Sequence, residues 1–370
     1  GSPMKLERLN RLYELLGVSG LNALALNAGP SLTYLTGLSF HLSERPTLLL
    51  LAPDASPALI LPELESNKAL SSHIPLKTFP YGENPSTWKS VLQAACDSLC
   101  LNKRVVGVEP TRLRFLELRL LEAAAPEARF TNGEMVLASL RMSKDEQELS
   151  KMRQAVQIAQ QALLATLPAI HPGISERAIA AELTLQLLRA GSEPELPFAP
   201  IVASGPNSAD PHAVPGERVL QTGDLLIIDW GATYQGYTSD LTRTFAIGTV
   251  DEELLHVAEI VEQANAAGRA AGKPGLPAGQ LDAAARSVIE QAGYGTFFTH
   301  RTGHGLGMEV HEPPFLFAEN FLPLAEGMTY TIEPGIYLPG RAGVRIEDNV
   351  VVTAQGSQTL SDLPRHLQIL

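Results

Sequence analysis

The sequence predicts a chain of two domains: an α/β layer domain over residues 4–135 and an internally duplicated α+β domain over residues 142–370. Three observations point to it. Apolar strands alternate with amphipathic helices through the first third of the chain. Beyond residue 142 one pattern, two helices and then strand hairpins, occurs twice. Each occurrence spans roughly a hundred residues, inside the usual range for a domain, and each closes on a pair of acids set in apolar strands.

The first helix covers 4–17, with Leu6, Leu9, Leu12, Leu15 and Leu16 on one face and Gly17 as its stop. Strands follow at 21–27, 47–52 and 58–62, a helix at 86–101, a strand at 104–109 and a helix at 113–125. The strands are nearly continuous apolar runs, as a sheet covered on both faces requires, and no glycine-rich phosphate loop joins them. The domain boundary falls near 135–142. Ser143 to Glu146 reads as a capping box opening a helix over 143–167. Ser175 caps a second helix over 175–190, which Gly191 ends. Strand-rich 198–247 completes the first half. Helices at 252–271 and 279–292 and strand-rich 298–353 repeat the order, which places two similar halves around a pseudo-twofold centre.

Composition bounds the function. The chain has 370 residues, 45% of them hydrophobic, enough for two cores. A formal charge of −12 argues against a nucleic-acid surface as the main partner. The longest apolar run, Leu48–Ala52, is far too short to span a membrane, and no secretory leader follows Met4. Cys96 and Cys100 lie one helical turn apart and read as half-buried thiols, which fits a reducing, cytoplasmic setting. Gly1-Ser2-Pro3 read as an expression remnant.

The chemistry centres on the acids. Asp229 follows four branched apolar residues, Leu225 to Ile228, and Asp240 lies on the next strand. Two buried carboxylates on one hairpin demand a cation between them. The second half supplies Glu333 and Glu347; strand periodicity puts Gly343, Arg345, Glu347 and Asn349 on one face and Asp348 on the other. Between the halves, HRTGHGLGMEVHEPP carries His300, His304 and His311, with glycines beside His304. Four acids and one imidazole carry too much negative charge for one divalent ion and suit two, which together can activate a water and clamp a tetrahedral intermediate. Oxygen-rich ligands favour Mn²⁺ or Co²⁺, with Zn²⁺ and Fe²⁺ also compatible. Rival motifs fail: Phe315 stands where HExxH needs its second histidine, Met308 breaks GxGxxG, and no GxSxG surrounds a serine. Taken singly, each acid or histidine reads as a structural residue; the combination is what points to metal.

These residues carry a resemblance. DWGATYQGYTSDLTRT, HRTGHGLGMEVHEPP, TIEPG and GVRIEDNVVVT resemble the M24 metallopeptidases of the pita-bread fold. PFAPIVASGPNSADPHA, with His212, is similar to the branch containing prolidase and aminopeptidase P, and NAGPSLTYLTGLSF and VVGVEP resemble its creatinase-type N-terminal domain. The resemblance implies that Asp229, Asp240, His304, Glu333 and Glu347 hold two metals, with Asp240 and Glu347 bridging. It implies that His212 and His311 meet the scissile carbonyl and its oxyanion, and that Glu333 shuttles a proton. His300 would lie toward the proline side, and Arg345 would support the ligands or meet a substrate carboxylate. His41 and Arg45, in GLSFHLSERP, are candidates for that carboxylate as well. The implied activity is hydrolysis of Xaa-Pro bonds by a homodimer. The compact N-terminal domain favours dipeptides over the longer Xaa-Pro peptides of aminopeptidase P. A non-catalytic member of the fold is the remaining alternative, and the five intact ligands speak against it.

Overall fold

Which elements form, and which were legible, follows from how deeply each is buried. The structure, a computed structural model, describes residues 3–370; Gly1 and Ser2, part of the stretch read as an expression remnant, lie outside the described residues. The chain divides into two compact units, Gly1–Arg141 and Met142–Leu370.

The first unit contains α1 (Pro3–Ser19), β1 (Ala23–Asn27), α2 (Pro30–Thr36), β2 (Leu48–Leu51), β3 (Ala58–Pro62), β4 (Lys77–Tyr81), α3 (Trp88–Ser98), β5 (Val105–Val108), α4 (Phe115–Ala124), β6 (Arg129–Asn132) and α5 (Glu134–Arg141). Its sheet runs β4-β3-β2-β1-β5-β6. The central β1, β2 and β3 are buried throughout. The two strands that sequence reading passed over, β4 and β6, are the sheet's edges; they are polar and largely exposed, as edges tend to be. Helix α5 occupies the stretch read as a boundary and belongs to this unit: Val136, Leu137 and Leu140 are buried, and Arg141 donates to Ser31 Oγ at 3.1 Å. The cysteines differ from expectation. Cys96 is buried but Cys100 is exposed, because α3 ends at Ser98 and Cys100 turns away with φ of 50°.

The second unit contains α6 (Glu146–Thr166), α7 (Glu176–Arg189), β7 (Ile201–Ser204), β8 (Leu225–Trp230), β9 (Thr233–Tyr234), β10 (Tyr237–Thr238), β11 (Leu241–Ala246), α8 (Glu252–Ala271), α9 (Gly279–Gln291), β12 (Gly303–Gly305), β13 (Glu312–Leu316), β14 (Thr329–Ile332), β15 (Gly335–Leu338), β16 (Ala342–Arg345), β17 (Asp348–Thr353), β18 (Gly356–Thr359) and β19 (Gln368–Ile369). The duplication is visible in the strands. Antiparallel β8 and β11 are joined through the small ribbon β9–β10, and antiparallel β14 and β17 through the ribbon β15–β16. An antiparallel bridge between Thr242 and Glu347 stitches the two pairs together: Glu347 N donates to Thr242 O at 3.1 Å and Thr242 N to Glu347 O at 3.3 Å. Helices α6 and α7 pack over the first pair; Trp230 fills that core and its indole donates to Ala159 O at 2.8 Å. Helices α8 and α9 cover the second half through Val257, Val261 and Ile289. No helix among the described residues is long and apolar enough to cross a membrane.

The capping box lies two residues later than expected. Asp145 Oδ1 accepts from Glu148 N at 2.8 Å and Glu148 Oε2 accepts from Asp145 N at 2.9 Å. Ser143 is held extended by a bridge to Met328, and Lys144 is drawn into a buried ion pair with Glu312 at 2.6 Å, so the helix begins only after them.

Candidate metal centre

The four acids stand at equivalent places in the two halves. Asp229 is in the last turn of pleat of β8 and Asp240 just precedes β11; Glu333 just follows β14 and Glu347 just precedes β17. His304 reaches the same point from β12. A Cβ at Gly303 would collide with the carbonyl of Thr331, and one at Gly305 with the carbonyls of Glu312 and Pro313, so glycine on both sides lets this strand sit close against its neighbours. His304 Nδ1 donates to Gly305 O at 2.9 Å, which leaves Nε2 to face the acids and, once any proton there is displaced, to offer a lone pair. That Nε2 lies 3.3 Å from Asp240 Oδ2, 3.4 Å from Glu333 Oε2 and 3.9 Å from Glu347 Oε2. One donor atom from each of these four residues falls within 4.8 Å of all the others.

The fit to cations is carried by unpaired oxygens. Asp229 Oδ1, Asp240 Oδ1 and Glu347 Oε2 are buried with no hydrogen-bond partner. Buried carboxylate oxygens are normally satisfied, and each orphan costs on the order of 1–3 kcal/mol or more. The titration behaviour agrees. Burial, then the Asp240 charge, holds the Asp229 carboxyl well above the usual carboxylate range. Burial, then Asp240 and Glu333, does the same to Glu347. Burial opposes the charge on His304, but Glu333 and Asp240 outweigh it and hold the imidazole well above its ordinary value. Without a cation the cluster must therefore keep protons that a divalent ion would replace.

A layer of fixed side chains holds the acids. Arg345 Nη2 donates to Asp229 Oδ2 at 3.0 Å, and Thr242 Oγ1 donates to Glu347 Oε1 at 2.7 Å. Thr331 Oγ1 donates to Glu333 Oε2 at 3.1 Å. The other arm of Arg345, Nη1, donates to Tyr337 OH at 3.0 Å, and Tyr337 OH lies 2.6 Å from His300 Nε2. Because His300 Nδ1 faces the carbonyl of Arg301 at 2.7 Å, it carries the proton, and Nε2 accepts from Tyr337. Sequence reasoning missed Tyr337. Its signal was slight: a tyrosine paired across β15–β16 with Gly343, which leaves room for the ring.

The predicted histidines meet at one cavity of about 840 Å³, whose walls include His212, His300, His304, His311, Asp229 and Glu333. The His311 ring lies against that of His304, centroids 4.1 Å apart. Partial burial, then the neighbouring His304, lowers the His311 pKa, which favours the neutral imidazole. His212 is exposed on the loop after β7. Buried Glu176 ties the feet of that loop, accepting from Ser204 N at 2.7 Å and from Gly216 N at 3.1 Å. His41 and Arg45 lie in the first unit, on the segment between α2 and β2. His41 is exposed, and Arg45 is engaged there by Glu44 at 3.2 Å and Glu83 at 3.0 Å.

Comparison with known proteins agrees with this geometry. Residues 150–354 match the profile of Metallopeptidase family M24, and residues 8–143 match that of the Creatinase/Prolidase N-terminal domain. An Xaa-Pro dipeptidase of Lactobacillus helveticus is 35% identical over 364 residues, 98% of either chain. A dipeptidase structure from Pyrococcus horikoshii OT3 matches with a TM-score of 0.92 at 37% identity, covering 98% of this chain and 100% of that one. An X-Pro aminopeptidase structure from Thermotoga maritima matches with a TM-score of 0.85 at 32% identity, covering 98% and 99%.

Proposed function

We propose that this chain, which belongs to metallopeptidase family M24, is a two-metal exopeptidase that hydrolyses Xaa-Pro dipeptides. The observation that carries the proposal is the convergence of Asp240, Glu333 and Glu347 on His304 Nε2, in a site where Asp229 Oδ1, Asp240 Oδ1 and Glu347 Oε2 are buried without a hydrogen-bond partner. Asp229, Asp240, His304, Glu333 and Glu347 would hold the ions, Mn²⁺ or Co²⁺ in the first place, with Zn²⁺ or Fe²⁺ compatible with the same donors. When bound, such a pair supplies a water nucleophile near neutral pH and polarises the scissile carbonyl.

The protein's own groups do the rest. Glu333 is pulled below the usual carboxylate range: burial opposes this, but the Glu347 hydrogen bond and the His304 charge outweigh it. Glu333 therefore stays ionised, and an ionised carboxylate at this place would take a proton from water and pass it to the leaving nitrogen. His311, neutral, and His212 supply N–H donors for the carbonyl oxygen and the oxyanion, typically a few kcal/mol per donor. Arg345 keeps Asp229 in place and, through Tyr337, sets the His300 ring. The bond before proline is a tertiary amide without an N–H. Recognition must therefore come from the ring and the chain ends rather than from the amide.

The name and full-length match of the Lactobacillus relative support the dipeptidase reading; the Thermotoga match keeps an aminopeptidase acting on longer Xaa-Pro peptides as the second reading. Ala-Pro and Ala-Pro-Ala, assayed after chelation and again with added Mn²⁺ or Co²⁺, test both. Metal-dependent cleavage of Ala-Pro in preference to Ala-Pro-Ala is expected. The reverse preference moves the assignment to aminopeptidase P, and metal-independent cleavage removes it. The homodimer implied by resemblance is tested by light scattering, and the unpaired Cys96 and Cys100 fit a cytoplasmic enzyme.

A further inference from the structure

We infer that Arg301 is a specificity residue that binds the free carboxylate of the substrate's terminal proline; the inference rests on the Xaa-Pro reading above. Three arginines line the cavity: Arg286, Arg301 and Arg345. Two are fully engaged. Arg286 donates from Nε and Nη2 to Asp282, both at 3.0 Å, and from Nη1 and Nη2 to the carbonyls of Phe298 and His300 at 3.0 and 2.7 Å. Arg345 donates to Asp229 and Tyr337, each at 3.0 Å.

The Arg301 guanidinium has neither a hydrogen bond nor an ion pair with any described residue. Its side chain is exposed, and its Cζ lies 5.1 Å from the Phe315 ring centroid and 5.0 Å from that of Phe317. Contact with two aromatic rings restrains a guanidinium without consuming its N–H donors. Phe315 and Phe317 are two apart on and just beyond β13, so they share a face, and Phe298 lines the same cavity. The wall thus joins an apolar surface to a restrained, unpaired cation. A ligand that answers both is a small saturated ring bearing a carboxylate, which is the description of a C-terminal proline.

The reach agrees. Two residues, Thr302 and Gly303, separate Arg301 from the metal-facing His304, three Cα steps that span at most about 10 Å, comparable with an extended dipeptide. A longer substrate offers a neutral amide where the dipeptide offers a carboxylate. It cannot form the charge-assisted bidentate pair that arginine makes. Arg301 therefore separates Xaa-Pro from Xaa-Pro-peptides.

The test uses the Mn²⁺-loaded full chain with Ala-Pro and Ala-Pro-amide, comparing wild type with Arg301→Met and Arg301→Lys. Wild type should show the lower KM for Ala-Pro. Arg301→Met should raise KM for Ala-Pro about tenfold, with kcat changed far less, and collapse the amide-to-acid KM ratio toward one. Arg301→Lys should recover part of that ratio, because it restores charge without the planar fork. A ratio equal to wild type in Arg301→Met, or equal loss on both substrates, overturns the role of Arg301. If wild type, with its metals bound, cleaves neither substrate, the Xaa-Pro reading itself fails.

Discussion

Asn349 grips Asp240 from both sides of its backbone: Asp240 N donates to Asn349 Oδ1 at 3.1 Å, and Asn349 Nδ2 donates to the Asp240 carbonyl at 2.6 Å. Asp240 comes from the first half of the duplicated unit and Asn349 from the second. A side chain of β17 therefore sets where a proposed ligand of the other half stands. Both groups are buried, so Asn349→Ala leaves a backbone donor and acceptor without partners, a loss of about 1–3 kcal/mol. It should also weaken metal binding about 10- to 100-fold, the usual effect of losing a group that orients a ligand. A chelator-competition titration reads the second quantity; affinity equal to wild type would show that Asp240 needs no such bracket.

The ligands and the cavity histidines should separate in their response to alanine. His304→Ala and Glu347→Ala remove donors at the point where the halves converge, so activity should vanish with the metal content. His212→Ala removes an exposed donor on a loop whose feet are tied elsewhere by Glu176. Metal content should stay full while kcat falls by about a hundredfold, the loss of one oxyanion donor. Elemental analysis beside steady-state kinetics decides it: metal retained in His304→Ala, or an unchanged kcat in His212→Ala, contradicts the assigned roles.

Loading the metals should release protons. Asp229 and Glu347 are held well above the carboxylate range, first by burial, and His304 is held above the imidazole range by Glu333 and Asp240 despite its burial. All three are thus protonated in the metal-free protein at pH values where their unfolded counterparts are not, and a divalent ion must displace those protons. Apparent affinity should rise as pH increases through these raised values and fall on acidification. Calorimetric titration of Mn²⁺ in buffers of differing ionisation enthalpy measures the protons directly. Heats that do not depend on the buffer would mean the acids are already ionised.

What the sequence made legible follows physical depth. Asp229, Asp240, Glu333 and Glu347 were visible because an acid inside an apolar strand breaks the pattern its neighbours set. The strand alternation also put Glu347 and Asp348 on opposite faces, as they are in the structure. The central strands β1 to β3 were visible because they are buried on both faces. Edge strands β4 and β6 were not, since exposure erases the apolar signal. Seven-residue α2 is too short to show a helical period. Tyr337 and Asn349 were out of reach for another reason: a buried tyrosine or asparagine in a strand is ordinary, and only tertiary contact to His300 and Asp240 gives it a task. Arg301 is similar, because its character lies in partners it does not have.

The two neighbouring acids make the last prediction. Glu347 turns to the acids around His304, while Asp348 turns away into a cationic nest. Asp348 accepts from Arg243 Nη2 at 2.8 Å, Arg365 Nε at 2.9 Å, Asn265 Nδ2 at 3.0 Å and Ser361 Oγ at 2.7 Å. Burial opposes its charge, but Arg243 and Arg365 outweigh burial and lower its pKa to about 2. A carboxylate depressed in the fold stabilises it above the unfolded value, near 3.9, and that stabilisation is lost as pH falls through the folded value. Asp348→Asn should therefore be less stable than wild type at neutral pH, by about 3–5 kcal/mol for a broken buried pair. The gap should narrow between about pH 4 and pH 2. Urea unfolding of the two proteins across that range provides the measurement. A gap that stays constant with pH would mean that the nest holds β17 by hydrogen bonds rather than by charge.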